Sequence, residues 1–163
     1  MIIIVTGTPG TGKTTIAKAL AKDLKFTYID VNEVIDKNKL KERKDQKRDT
    51  YIVDEKKLAK ALMEIIKEKK DLVIDSHMAH CLEKKYVDFC IVTKCELKRL
   101  KQRLEKRGYS PEKVRENMDA EIFDVCLMEA VEAQHNIIML DTTNSALDEL
   151  ITIIKDEISK NKR

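Results

Sequence analysis

Residues 5–20 read VTGTPGTGKTTIAKAL and continue the apolar run Met1-Ile2-Ile3-Ile4. An apolar run, a glycine-rich turn and an amphipathic stretch in that order predict a strand, a tight loop and a helix. Gly7 to Thr14 fits the pattern G-x-x-x-x-G-K-[ST]. Its glycines let successive backbone N–H groups converge on phosphate oxygens, and a helix beginning near Lys13 adds the positive end of its dipole. Lys13 can bridge the β- and γ-phosphates of a nucleotide, and the Thr14 hydroxyl can ligate Mg²⁺. The other reading is a chance glycine-rich turn, and the strand before it and the helix after it speak against that.

The rest of the chain extends this beginning. Short apolar runs at 2–6, 26–29, 72–74, 87–92 and 137–140 read as strands. Helical patterns lie between and after them at 13–24, 55–70, 95–106, 111–134 and 145–160. Alternating strands and helices imply an α/β fold: a five-stranded parallel sheet with helices on both faces. At 163 residues the chain fits one domain, 1–163, large enough to bury a proper core. Two polar segments interrupt the alternation, one from Asp30 to about Val53 and one at 106–113, KRGYSPEK. In the second, Ser110 can cap a helix with Pro111 in its first position. Both are candidate flaps over a site.

Composition narrows the classes. Lys+Arg 32 against Asp+Glu 29 gives a net charge of +3, too mild a bias to imply nucleic acid by itself. No apolar run approaches the ~18 residues of a membrane helix. The first strand breaks at Gly7, too early for a secretory signal. Cys81, Cys90, Cys95 and Cys126 show no Cys-x-x-Cys pairing and read as reduced thiols of a cytoplasmic protein.

Further residues carry chemistry. Asp75 ends a short apolar strand, where a carboxylate in a phosphate-loop fold holds Mg²⁺, or else it is a turn-forming aspartate. His77, two residues on, can orient a water or meet a transferring phosphate, or be a satisfied loop histidine. His77, His80 and Cys81 are metal-ligating types, but they lack the second ligand pair of a structural zinc site. The run 37–48, KNKLKERKDQKR, holds seven basic and two acidic residues. It is a contact for nucleotide, RNA or an acidic partner, or a solvated helix and loop. Arg103 and Arg107 precede the capped turn, and Arg115, Asn117 and Glu121 follow it. An arginine over the phosphates stabilises charge in phosphoryl transfer, and Asn117 and Glu121 share a helix face. The alternative is ordinary surface arginines.

Together these features resemble the nucleoside monophosphate kinases over nearly the whole chain. Conventional adenylate kinases carry Asp-Gly-Phe-Pro-Arg after the third strand. Here that place reads Asp75-Ser76-His77-Met78-Ala79-His80. It looks instead like the branch with an Asp-x-His motif, the nuclear-type adenylate kinase or coilin-interacting nuclear ATPase and its archaeal relatives. The run Arg107-Gly108-Tyr109, with Asn117 and Glu121-Ile122-Phe123, is similar to that branch's lid and lid helix.

The resemblance implies broad-specificity adenylate kinase activity with AMP as acceptor, accompanied by ATP hydrolysis. It also implies a part in late maturation of the small ribosomal subunit, with a platform ribosomal protein of the S-eleven type and the pre-ribosomal RNA particle as partners. By position, Gly10, Gly12, Lys13, Thr14 and Thr15 would hold the ATP phosphates. Arg107 would lie in a lid over ATP, at about 106–116, and the acceptor flap would span about 30–53. Asp75 and His77 would be the motif pair. Two other classes stay open: an ATPase switch that places or releases a ribosomal protein, and an RNA-binding module using 37–48.

Overall fold

The computed structural model describes residues 1–46 and 50–161, and the apolar start of the chain forms strand β1, Ile2–Gly7, buried along its whole length. β-branched side chains suit a pleated strand, and burial on both faces suits a parallel sheet covered by helices. The pleat divides β1 between two cores. Ile2 and Ile4 pack with Leu72, Ile74, Leu58 and Leu62, while Ile3 and Val5 pack with Val73, Ile91, Ile16 and Leu20.

Helix α1, Lys13–Leu24, follows the glycine-rich loop and ends at Lys25, whose φ of 59° is left-handed. Strand β2 is Thr27–Asp30. The Asp30 side chain then accepts a hydrogen bond from Asn32 N at 2.8 Å and caps helix α2, Val31–Lys37. Strands β3, Lys41–Asp45, and β4, Thr50–Val53, pair antiparallel as a hairpin apart from the main sheet. Helix α3, Glu55–Glu68, is capped by Asp54. It leads to strand β5, Leu72–Asp75, and two 3₁₀ turns, Ala79–Cys81 and Lys84–Tyr86. Strand β6, Phe89–Lys94, precedes helices α4, Leu97–Lys106, α5, Pro111–Ile122, and α6, Val125–Glu132. Strand β7, Ile137–Asp141, and helix α7, Leu147–Asn161, complete the order.

The five main strands lie in the order β2-β5-β1-β6-β7, all parallel. The expected α/β architecture and its five-stranded parallel sheet are therefore present. α1 and α7 cover one face, and α2, α3 and α6 cover the other. Register sets Val5 beside Asp75, and Asp30 beside Asp75 on the other side. The loop after β1 and the carboxylate ending β5 thus meet at the carboxyl edge of the sheet, where α/β folds open a crevice.

Three expectations need correction. First, the polar segment after Asp30, where the sequence leads one to expect no strand, holds helix α2 and the paired strands β3 and β4. The part of the basic run 37–48 that lies within the described residues ends α2 and forms β3, where Lys41, Glu42, Arg43 and Lys44 are exposed. With both faces of β3 in solvent, no apolar alternation marks it as a strand; residues 47 and 48 fall outside the described residues. Second, the helix expected over 111–134 breaks at Asp124, which takes φ 53°. Lys94 Nζ bonds the Glu121 carbonyl at 3.2 Å and pairs with the Asp124 carboxylate, so the chain turns there. Third, β6 starts at Phe89, because Asp88 is tied edge-on to β1 through Ile2 N–H (2.6 Å to its carboxylate). Among the described residues no helix is long and apolar enough to cross a membrane.

Candidate active site

Gly7 leaves β1 at φ +146°, and a Cβ there would lie 2.3 Å from Thr93 Oγ1, so only glycine fits this exit. Thr11 N–H and the Thr11 hydroxyl both donate to Thr8 O, at 3.2 and 2.7 Å, which closes the loop on itself. Gly12 takes φ +92° immediately before α1, turning the loop into the helix N-terminus. Lys13 extends from the first helical position, its Nζ 3.4 Å from Thr8 O. Burial pushes the Lys13 pKa down, and the nearby Asp75 carboxylate pulls it back up.

Asp75 is buried, at 6% exposure, and accepts hydrogen bonds from the Thr14 hydroxyl at 2.6 Å and the Tyr28 hydroxyl at 3.0 Å. Burial and the Asp75 charge together raise the Tyr28 pKa, so the phenol stays a donor. A hydroxyl and a carboxylate in contact at a phosphate-binding helix end are hard oxygen donors of the kind Mg²⁺ takes, so this pair fits that ion.

His77 lies on the following loop, which is pinned by Ser76 N–H to Val5 O (3.1 Å) and by Met78 N–H to Ser76 Oγ (2.9 Å). The residue presents an exposed edge, but the crowding around its imidazole lowers its pKa, with Lys13 and His80 adding to the effect. A small cleft of about 220 Å³ brings together Lys13, Thr14, Asp75, His77, Arg107 and Tyr109. A larger one, about 560 Å³, lies on the other side of the loop, beside Gly10, Gly12, Thr15, Arg103, Arg107 and Thr142. The residues singled out in the sequence therefore do converge, and Arg107, at the C-cap of α4, borders both clefts.

His80 does not join them. Its two ring nitrogens face Glu55 at 3.5 Å and Glu129 at 3.2 Å, and with Cys81 it groups with Glu55 rather than with His77. Asn117 shares a helix with Glu121 but donates its amide to Lys113 O at 2.7 Å within that helix.

Two residues have a larger structural part than the sequence indicated. Arg103 donates to Gly10 O (3.3 Å) and to Thr142 O (2.8 Å), tying α4 to the glycine-rich loop and to the turn after β7. Glu121 is buried at 5% exposure, and its carboxylate accepts from the Thr8 hydroxyl, from Cys95 N–H at 3.0 Å and from Lys94 Nζ at 3.1 Å. For Glu121 the sequence offered a helix face shared with Asn117 after the capped turn and a resemblance in the run Glu121-Ile122-Phe123, but nothing that marked its carboxylate as buried. Nothing local marked Thr142 as the partner of Arg103.

The family model described as "AAA domain" matches residues 3–124. A protein of Methanocaldococcus jannaschii, named "Putative adenylate kinase", is 44% identical over 159 residues, covering 95% of this chain and 86% of its own. A Thermococcus kodakarensis protein of the same name is 38% identical over 160 residues, covering 98% and 86%. The solved structure of shikimate kinase from Bacteroides thetaiotaomicron superposes with a TM-score of 0.67 over 98% of each chain at 16% identity, a likeness of fold. The chain belongs to the AAA-domain family of P-loop proteins and, by identity over nearly its whole length, to the same nucleotide-kinase-like family as these archaeal relatives.

Proposed function

We propose that the chain is an adenylate kinase that transfers the γ-phosphoryl group of ATP to AMP. The observation that carries this reading is the position of Arg107 on the border of two clefts that share the Lys13 loop. Such an arrangement suits two nucleotides meeting phosphate to phosphate, ATP in the larger cleft and AMP reaching the smaller. The names of the archaeal relatives support the same choice of substrates.

In this reading Gly10, Gly12, Lys13, Thr14 and Thr15 hold the ATP phosphates at the N-terminus of α1. The Thr14 hydroxyl and the Asp75 carboxylate hold Mg²⁺, which when bound neutralises charge on the phosphate oxygens. An oxygen of the AMP phosphate attacks the γ-phosphorus as the bond to the β,γ-bridging oxygen breaks, leaving two ADP. Lys13 and Arg107 face the charge that spreads over the transferring group. The segment at about 30–53 is the acceptor flap and the one at about 106–116 the lid. Their closure excludes water from the transferring group.

His77 favours a second activity at the same site. A histidine with a lowered pKa is neutral near pH 7, and a neutral imidazole beside Lys13 can hold a water near the γ-phosphate. Hydrolysis of ATP would then accompany transfer to AMP. The family resemblance extends this to a cytoplasmic role in small-subunit maturation. There an ATPase cycle would place or release a ribosomal protein of the S-eleven type on the pre-ribosomal particle.

The test is one preparation assayed in two ways. ADP formed from ATP should rise steeply when AMP is added, and phosphate release should continue slowly without it. ADP formation that ignores AMP would leave an ATPase, and turnover in neither assay would remove the enzyme reading altogether.

A further inference from the structure

We propose that Glu55, His80 and Cys81 form a binding site for a divalent transition-metal ion of the zinc type, separate from the Thr14–Asp75 pair. One carboxylate oxygen of Glu55, a ring nitrogen of His80 and the thiol sulfur of Cys81 all lie within 4.8 Å of one another. Ligand bonds of about 2.0–2.3 Å at tetrahedral angles put donor atoms roughly 3.3–3.8 Å apart. Glu55 Oε1 and His80 Nε2, at 3.5 Å, already stand at such a separation. Imidazole, thiolate and carboxylate together are a borderline-soft set that suits zinc or cobalt and not Mg²⁺.

The backbone fixes these donors without help from an ion. Glu55 is the first residue of α3, directly after its Asp54 cap. His80 and Cys81 are neighbours on a 3₁₀ turn closed by Cys81 N–H to Met78 O at 3.2 Å.

The other ring nitrogen of His80 supplies an independent observation. Nδ1 is sealed from solvent and makes no aligned hydrogen bond, while Glu129 Oε2 of α6 stands 3.2 Å away. With an ion on Nε2, a small turn of the ring would aim Nδ1–H at that carboxylate, which would then hold the ring and its tautomer for the metal. His80 and Cys81 are half-buried and Glu55 is exposed, so an ion has a path of entry and an open position for water. The Cys81 thiol, pushed up to about 12 by burial and by Glu55 and Glu129, would release its proton to the solvent as the ion binds. An ion there would join α3 to the turn that follows Asp75 and His77.

The probe is Co²⁺ added to the whole protein and followed by absorption. The expected result is one equivalent bound, with a thiolate-to-cobalt charge-transfer band in the near ultraviolet and visible bands of four-coordinate cobalt. Cys81→Ser should abolish the charge-transfer band, and Glu55→Gln should weaken Co²⁺ binding about tenfold or more. Zn²⁺ should raise the melting temperature of the wild-type protein and not that of His80→Gln. Glu55 is exposed, so Glu55→Gln serves even where Cys81→Ser disturbs folding. The proposal is overturned by the absence of the band in wild type, by its persistence in Cys81→Ser, or by wild-type affinity in Glu55→Gln.

Discussion

The Thr8 hydroxyl of the glycine-rich loop donates to the Glu121 carboxylate of α5 at 2.6 Å, across 113 residues of sequence. Both groups are buried, so the helix behind the proposed lid is anchored to the loop proposed to hold ATP. Replacing Glu121 by Ala would strand the Thr8 hydroxyl and Cys95 N–H and leave Lys94 with the Asp124 carboxylate and the backbone carbonyl of residue 121. Breaking a buried charged network costs on the order of 3–5 kcal/mol, a fall in Tm of roughly 10 °C for a chain of this size. Thermal denaturation checks this, and an unchanged Tm would mean that the network contributes nothing to stability.

Lys13→Ala should abolish both transfer to AMP and hydrolysis while leaving the fold intact. The side chain is the one full positive charge that the loop itself presents to the phosphates. Losing such a contact costs a few kcal/mol of barrier, on the order of a hundredfold or more in rate. Turnover and nucleotide affinity are the readouts; wild-type values for both would contradict the assignment.

Arg107→Ala should lower kcat far more than it raises KM for ATP. Arg107 makes the border between two clefts and stands next to Gly108, whose φ of +75° allows a hinge. A rise in KM at constant kcat would assign it to ground-state binding instead.

For His77 the sign follows from its surroundings. Its folded pKa is lowered by crowding and by Lys13, below the ordinary imidazole value. Between the folded and unfolded values the unfolded chain binds more protons, so this group makes stability fall as pH drops through that window. Phosphate release should fall at the lower edge of that window, as pH drops through the lowered folded value and the imidazole takes a proton. His77→Gly should slow hydrolysis at pH 7 and flatten this acid limb, with ATP affinity nearly unchanged, and His80→Gly should affect hydrolysis much less. A pH profile for His77→Gly identical to wild type would return the residue to the loop.

What the sequence revealed, and what it hid, follows from the range of each interaction. The loop from Gly7 to Thr14 was legible because phosphate binding needs its glycines, lysine and hydroxyl side by side in the chain. The central strands were legible because burial on both faces leaves only apolar residues, as in Ile2 to Val5. Asp75 was legible as the polar end of such a run. The hairpin was not, since solvent on both faces of β3 removes the period that would mark it. The break at Asp124 depends on Lys94, thirty residues earlier, reaching the turn through space. Arg103 with Thr142, and His80 with Glu55 and Glu129, are likewise meetings of distant segments. No local pattern announces them.

The hairpin of β3 and β4 pairs with no strand of the main sheet, and its outer surface is largely charged. Little apolar area is lost when it opens, so its amide protons should exchange with solvent through local openings far cheaper than global unfolding. Those of β1, central in the sheet and buried on both faces, should exchange only when the whole molecule unfolds. The two rates would then be separate clocks in one molecule. Ligand at the proposed acceptor site would slow the second by the factor that its binding free energy sets, and the first by as much only where opening the hairpin releases the ligand.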